Sequence, residues 1–432
     1  MIRERPPCPP EGHARTFAQS PVSGGLHPDR SSAMENVFDI WAARGFLEQV
    51  TDEEGLRSLL ASPQTLYAGF DPTAPSLHLG NLIPILGLVH AQRCGHRVLV
   101  VLGGATGMIG DPSGKSVERS FLDEETLAEN LRSQREQFAR LIDFTGERFS
   151  PAAEFRDNLD WTRELTVIEW LRDTGKLFSV NAMVAKESIR RRFEEREAGI
   201  SFTEFSYMLL QAYDFYHLYK EEGCRLQVGG NDQWGNITAG IDLIRRKGGE
   251  TAFGATFPLL TTAAGEKFGK SEQGAVWLDP ERTSTWDFYQ YFVRTDDRDA
   301  VRFLKLFTFL PLEEIDALAE ELAREPEARA AQKRLAWEVT ALVHGEAEAD
   351  RMARGARALY EGRLEDLDGE LIRQVFAEGP VVEVSGEELR AAPTLVDFAP
   401  RVGLVTSKGE ARRMLKQGAL YVNLHRAGAE RT

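Results

Sequence analysis

The sequence predicts an α/β protein built on a doubly wound parallel sheet, followed by an all-helical region and a small basic α+β tail. Three observations carry that prediction. The stretches "TLYAGFDP" (65–72) and "RVLVVLGGATGMIGDPSG" (97–114) read as buried strands that end in Gly- and Pro-rich loops. Between them, "NLIPILGLVHAQRCG" (81–95) has helical apolar spacing and a closing glycine, so strand, helix and strand form a parallel unit. Further on, "RLQVGGNDQWGN" (225–236) repeats the strand-to-glycine-loop design.

The other segments follow in order. Residues 1–33 are rich in Pro, Gly, Ser and Arg without an apolar period, and are expected to be disordered; a start codon assigned upstream of Met34 explains them most simply. Residues 34–280 are the Rossmann-like α/β domain, with a helix-rich insertion at about 120–225. Residues 281–360 lack glycine loops and carry Ala-, Glu- and Arg-rich helical patterns such as "EEIDALAEELAREPEARAAQKRLAWEVTALVHG", which predict an all-α domain. A short acidic linker, 361–390, leads to the tail, 391–432.

Composition excludes several classes. No run approaches the roughly 20 apolar residues of a membrane span. Cys8, Cys94 and Cys224 lie far apart with no CxxC, which argues against a disulfide framework or a zinc site and fits a reducing cytoplasm. The net charge of −15 opposes wholesale nucleic-acid binding, yet residues 401–432 set seven Lys and Arg against two Glu, so a basic island sits on an acidic chain.

Three loops carry possible chemistry. "DPTAPSLHLGN" (71–81) follows a strand and opens a helix, which places His78 at the edge where helix N–H groups point outward, with Gly80 open to a ligand's approach. The arrangement suits a nucleotide whose phosphates react, and equally an ordinary strand-to-helix turn with an incidental histidine. "GDPSGKS" imitates a P-loop but fails it, because the residue five before Gly114 is Ile109. Lys115 and Arg119 in that loop either meet phosphate oxygens or are solvated surface charges. "EKFGKS" (266–271) sets two lysines around a glycine, a pattern fit to close over a triphosphate and stabilise charge on a leaving pyrophosphate.

Together "HLGN" and "KFGKS" resemble the HIGH and KMSKS signatures of class I aminoacyl-tRNA synthetases. "LYAGFDPTAPSLHLGN", "GGATGMIGDPSGK", "SFTEFSYMLLQAYDF" and "GGNDQWGN" narrow the resemblance to the bacterial tyrosyl-tRNA synthetases, from about Met34 to about Asn423. The resemblance implies that Tyr67 and Asp214 bond the phenolic hydroxyl of tyrosine, and that Tyr207, Gln211 and Asp111 hold its α-ammonium. Tyr207, Gln211 and Asp214 fall at i, i+4 and i+7, one face of one helix. It assigns Asp71 and Gln233 to the reacting carboxylate region, Asp232 and Gly230 to the ribose, and Thr73 and His78 to the γ-phosphate. Lys115, Arg119, Lys267, Lys270 and Ser271 would meet the departing pyrophosphate.

Asn81 replaces the second histidine of HIGH and would still donate to the ribose. The implied substrates are L-tyrosine, ATP with Mg2+, and tRNA(Tyr), with no protein-bound metal, in a homodimer with Phe202 at its interface. Arg245, Arg246 and Lys247 are candidates for the tRNA acceptor stem. The tail resembles an S4 RNA-binding domain presenting Lys408, Arg412, Arg413 and Lys416, but departs into "LHRAGAERT" after "YVN", which implies a truncated domain. Two other readings are a tryptophanyl enzyme and a non-catalytic RNA-binding protein on a synthetase scaffold.

Overall fold

The structure is a computed structural model that describes residues 35–113, 123–186, 190, 200–263, 265, 268–271, 274–364, 367–377, 382–392 and 394–427. Residues 1–33 and the candidates Lys115, Arg119 and Lys267 lie outside the described residues; for Lys270 and Ser271 the description covers the backbone.

Six strands form the central sheet: β1 (Gln49–Val50), β2 (Thr65–Phe70), β3 (Arg97–Leu102), β4 (Glu154–Asp157), β5 (Leu226–Gly230) and β6 (Phe253–Phe257), in the spatial order β1-β6-β5-β2-β3-β4. All neighbours are parallel except β1, which pairs antiparallel with β6. The chain winds outward from β2 through β3 to β4, then returns to β5 beside β2. The order therefore reverses between β2 and β5, and the crevice beyond their carboxyl ends is where such sheets bind ligands.

β4 corrects the sequence reading. The span 120–225 is not a purely helical insertion, because Glu154–Asp157 pairs with β3, Leu99 opposite Glu154. "EFRD" is short, charged and half-buried, as an edge strand can be, so it leaves no apolar run to read. Its charges serve the sheet's lower end. Arg97 bonds Glu154 and Glu222 at 2.6 and 2.8 Å, and Arg156 bonds the same two carboxylates at 2.7 and 2.8 Å. This closed ring ties β3 and β4 to the C-terminus of the helix Phe202–Glu222.

The helix Leu79–Arg93 is buried on nearly every face, through Leu79, Leu82, Ile83, Ile85, Leu86, Leu88 and Val89. Its Gly87 allows the sheet to approach: a Cβ there would lie 2.3 Å from the ring of Phe257, which is itself packed edge-on by Trp41 and Phe46. The Trp41 indole donates to the Gly87 carbonyl at 3.1 Å.

The helical region begins at Thr285–Val293 and continues through Asp297–Phe307, Leu312–Arg324, Ala330–His344 and Glu346–Glu361. It has no core of its own: Phe288, Phe292, Phe303 and Phe307 join Leu82, Ile85 and Phe257 in one continuous buried cluster. Arg44 locks the seam, donating to the carbonyls of Lys305, Thr308 and Leu310. The expected linker 361–390 contains the helix Gly369–Val375, whose Leu371 is buried against Gly355 and Trp286, so part of it belongs to this helical layer.

The tail holds a helix pair, Leu395–Arg401 and Lys408–Gln417, and a hairpin of Tyr421–Val422 with His425–Arg426. Val396, Ala399, Val405, Ala411, Leu415, Leu420 and Ala427 form its own small core.

A Gly87→Ala substitution should overpack the helix–sheet seam and cost about 2 kcal/mol, read as a lower denaturation midpoint at unchanged slope; an unaltered midpoint would show that the Phe257 ring yields freely.

Candidate active site

Four elements converge beyond the carboxyl ends of β2, β3 and β5. At the floor lies Asp214, on the helix Phe202–Glu222 and 5% exposed. Its Oδ1 accepts from Trp161 Nε1 at 2.8 Å and its Oδ2 from Asn158 Nδ2 at 3.0 Å. Burial outweighs both hydrogen bonds and pushes the carboxyl up to about 7. Tyr67, from β2, is buried beside it, and its hydroxyl has no partner among the described residues. Burial, then the Asp214 charge, raises that hydroxyl well above its ordinary value. Gln211 Oε1, one turn before Asp214, is likewise buried without a partner. Buried polar atoms left unpaired in this way are rare in native proteins and need an explanation.

Asp71 and Tyr207 form the other end. Asp71 accepts from the Tyr207 hydroxyl at 2.8 Å and from Thr106 Oγ1 at 2.7 Å. Asn158 Nδ2 also donates to Thr106 Oγ1 at 2.9 Å. One hydrogen-bonded chain therefore runs from Asp214 through Asn158 and Thr106 to Asp71 and Tyr207. Asp111 accepts from the Ser113 amide at 2.9 Å and from Gln233 Nε2 at 2.6 Å. Gln233 also lies 3.3 Å from Asp232 Oδ2, and its Oε1 accepts from Asn236. So Tyr207 meets Asp71, and Gln233 meets Asp111.

Glycine makes this crowding possible. A Cβ on Gly103 would sit 2.2 Å from Asp71 Oδ1, one on Gly104 would sit 2.1 Å from Asp157 Oδ1, and one on Gly230 would sit 2.6 Å from Asp232 Oδ1.

The rim carries the two signature loops. His78 is the N-cap of the helix Leu79–Arg93, and Asn81 Oδ1 accepts from the His78 amide at 3.0 Å. Thr73 and Gly80 are exposed on the same turn, with His78 half-buried. Gly80 has a further reason to be glycine: its Cβ would lie 3.0 Å from the His78 imidazole. The hairpin after "KFGKS" is stitched onto this turn, Leu79 N–H to Val276 O at 3.0 Å and Leu278 N–H to Leu77 O at 2.9 Å. Gly269, at φ 78°, packs against Leu79 and the Gly80 nitrogen, and its amide donates to the Tyr291 hydroxyl. Phe268 is buried between Phe303 and Phe307. The loop expected to move is thus anchored at its centre, between the two lysine positions.

Sequence reading missed Asn158, Trp161 and Thr106, and also a stripe of amides on the helix Glu124–Leu141. Asn130 donates to Pro72 O, Gln134 to Ala74 O, and Gln137 accepts from the Leu77 amide. The i, i+4, i+7 spacing of these amides on one helix was the legible signal. Their buried stripe braces the turn that carries Thr73 and His78. Of the RNA candidates, Arg245 and Arg246 share Asp242 at 2.5 and 2.6 Å, and Lys247 lies over the Tyr216 ring. In the tail, Lys408 is paired with Asp397 and Arg413 with Glu410; Arg412 and Lys416 have no ion pair among the described residues.

A nucleotide-type crevice fused to a buried carboxylate pocket is the design of an amino-acid-activating enzyme. The family described as tRNA synthetases class I (W and Y) matches residues 60–361, and the chain belongs to it. Its relatives include the tyrosine–tRNA ligase of Bacillus caldotenax, 52% identical over 382 residues that cover 88% of this chain and 89% of that protein. The tyrosine–tRNA ligase of Opitutus terrae is 50% identical over 394 residues, 91% of this chain and 92% of that protein. Among solved structures, a C-terminally truncated mitochondrial tyrosyl-tRNA synthetase of Aspergillus nidulans superposes with a TM-score of 0.68 at 34% identity, over 75% of this chain and 94% of that one. A tryptophanyl-tRNA synthetase of Encephalitozoon cuniculi, at 15% identity and a TM-score of 0.52 over 74% of this chain and 90% of that one, shares the fold.

The raised Asp214 has a thermodynamic consequence. Its folded value exceeds the unfolded one, so its protonation favours the folded state; that contribution is whole below the unfolded value and lost as pH rises through about 7. The stability of wild type relative to Asp214→Asn should therefore fall by roughly 2 kcal/mol between pH 5 and pH 8, measured by denaturant unfolding at both values. A pH-independent difference would place the carboxyl near its ordinary range.

Proposed function

We propose that this chain activates L-tyrosine with ATP and transfers the tyrosyl group to the 3′ end of tRNA(Tyr). The carrying observation is the Tyr67 hydroxyl, buried with no partner among the described residues beside the Asp214 carboxylate. A phenol hydroxyl placed between them accepts from one and donates to the other. Phenylalanine would leave the Tyr67 hydroxyl unpaired, at a cost of about 1 to 3 kcal/mol, and would deny Asp214 a third donor beside Trp161 and Asn158. Their kinship with tyrosine enzymes at about half identity supports the same reading.

The remaining roles follow from charge and position. Tyr207, Gln211 and Asp111 surround the α-ammonium together with Asp71, whose bond to Tyr207 draws it there from the carboxylate region that the resemblance assigns to it, and Gln233 sits toward the carboxylate. ATP enters as its magnesium complex and lies along the rim, with Gly230 and Asp232 at the ribose and Thr73 and His78 at the terminal phosphate. Asn81 caps its helix with Oδ1, which leaves its Nδ2 end as the donor toward the sugar. A tyrosine carboxylate oxygen attacks the α-phosphorus; the new O–P bond forms as the bond to the β-phosphate oxygen breaks, and pyrophosphate carries away the electron pair. The attacking group is already an anion, so no general base is required. Catalysis is alignment plus cationic stabilisation of the leaving group by Lys115, Arg119, Lys267 and Lys270, with Ser271 beside them. The terminal ribose hydroxyl of the tRNA then attacks the tyrosyl carbonyl and AMP departs.

The tail is the RNA-facing S4-like unit, with Arg412 and Lys416 as its least encumbered cations and Arg426 spent on the carbonyls of Gln417 and Gly418. Arg245, Arg246 and Lys247 face the acceptor stem. Phe202, at 75% exposed, begins the helix whose Met208 and Leu209 pack with Met183, and with the exposed Val167, Ile168, Leu171 and Val180 it supplies apolar surface for a second copy in a cytoplasmic homodimer.

Tyrosine-dependent ATP–pyrophosphate exchange and tRNA charging, run on one preparation, test the reading. Exchange with tyrosine but not tryptophan is expected, and no exchange with either would overturn it. Lys270→Ala should lower the exchange rate about a hundredfold while equilibrium dialysis finds tyrosine affinity unchanged. Phe202→Asp should shift sedimentation from dimer to monomer, and a dimer that persists would move the interface elsewhere.

A further inference from the structure

We propose that His217 is a positioning residue for hydroxyl recognition: by stacking on Trp161 it aims the indole N–H at Asp214. The inference rests on the reading of this site as a tyrosine pocket.

Asp214 and His217 are three residues apart on the helix Phe202–Glu222, so both face the same neighbour. That neighbour is Trp161. Its Nε1 donates to Asp214 at 2.8 Å, and its ring lies 4.5 Å from the His217 imidazole with the planes 16° apart. One helix thus holds the indole at two points, by its edge and by its face. Trp161 also packs in the cluster of Tyr67, Leu99, Val101 and Phe215.

Trp161 needs this grip because of where it stands. It belongs to a four-residue helical turn, Leu159–Thr162, too short to fix a large side chain through its own packing. If the indole tips, Asp214 loses one of its two donors while remaining buried, and the carboxylate that reads the substrate hydroxyl becomes harder to ionise. An aliphatic side chain at position 217 fills space without presenting a flat face, whereas an aromatic ring preserves the stack. Burial holds the His217 imidazole below its ordinary value, so the ring that meets the indole is neutral.

The test is ATP–pyrophosphate exchange by the full chain as wild type, His217→Ala, His217→Leu and His217→Phe, with tyrosine and ATP varied separately. For H217A and H217L the tyrosine KM should rise roughly three- to tenfold, the ATP KM and kcat should stay within about twofold, and H217F should restore the wild-type tyrosine KM. Should H217A fail to fold, H217L is read by the same criteria. An unchanged tyrosine KM in the aliphatic variants overturns the proposal. So does a parallel change in kcat and both KM values, or an H217F as defective as H217A. Wild type without tyrosine-dependent exchange would overturn the functional reading and this inference with it; normal wild type with unaffected variants removes the role of His217 alone.

Discussion

A carboxylate held away from water is the constraint around which this site is assembled. Asp214 lies where a helix meets the sheet, and ionising it there is costly unless donors surround it. Asn158 and Trp161 supply two, and each must itself be placed: Asn158 Oδ1 accepts from the Ala105 amide, and Trp161 packs against Tyr67 and Phe215. Gly103 and Gly104 give up their side chains so that Asp71 and Asp157 fit beside the chain that links the two ends. Even so the carboxyl remains strained toward protonation. On the function proposed above, that residual cost is what a substrate hydroxyl relieves.

The second requirement is that the rim be registered against the floor. The two signature loops lie about two hundred residues apart in sequence, yet Leu79 and Leu278 exchange backbone hydrogen bonds with the opposite segment. Phe268 plugs the "KFGKS" hairpin into the helical layer, and that layer shares one core with the α/β sheet. The amides of Asn130, Gln134 and Gln137 impose the same discipline on the turn that carries Thr73 and His78.

The tail obeys different physics. Its core is a handful of Val, Ala and Leu residues, and its surface is basic where the rest of the chain is acidic. On the function proposed above, such a unit gains little from packing and much from counterion release on RNA, an attraction that falls with salt. The adenylating site needs no such surface.

The sequence by itself determined the parallel units, the glycine loops and the helix face that joins Tyr207, Gln211 and Asp214, because strand and helix periodicities and glycine punctuation are local properties. It also singled out the His78 turn and the "KFGKS" loop, which the fold brings side by side. Only the tertiary structure decided that "EFRD" completes the sheet, that the helical region shares the core of the α/β domain, and that Tyr207 bonds Asp71. Those outcomes depend on contacts between segments distant in sequence. The Trp161–Asp214–His217 cluster is the sharpest case: three residues of unremarkable local pattern come together only when a short turn and a long helix meet, since hydrogen-bond aim and ring stacking are properties of relative position that no local period encodes.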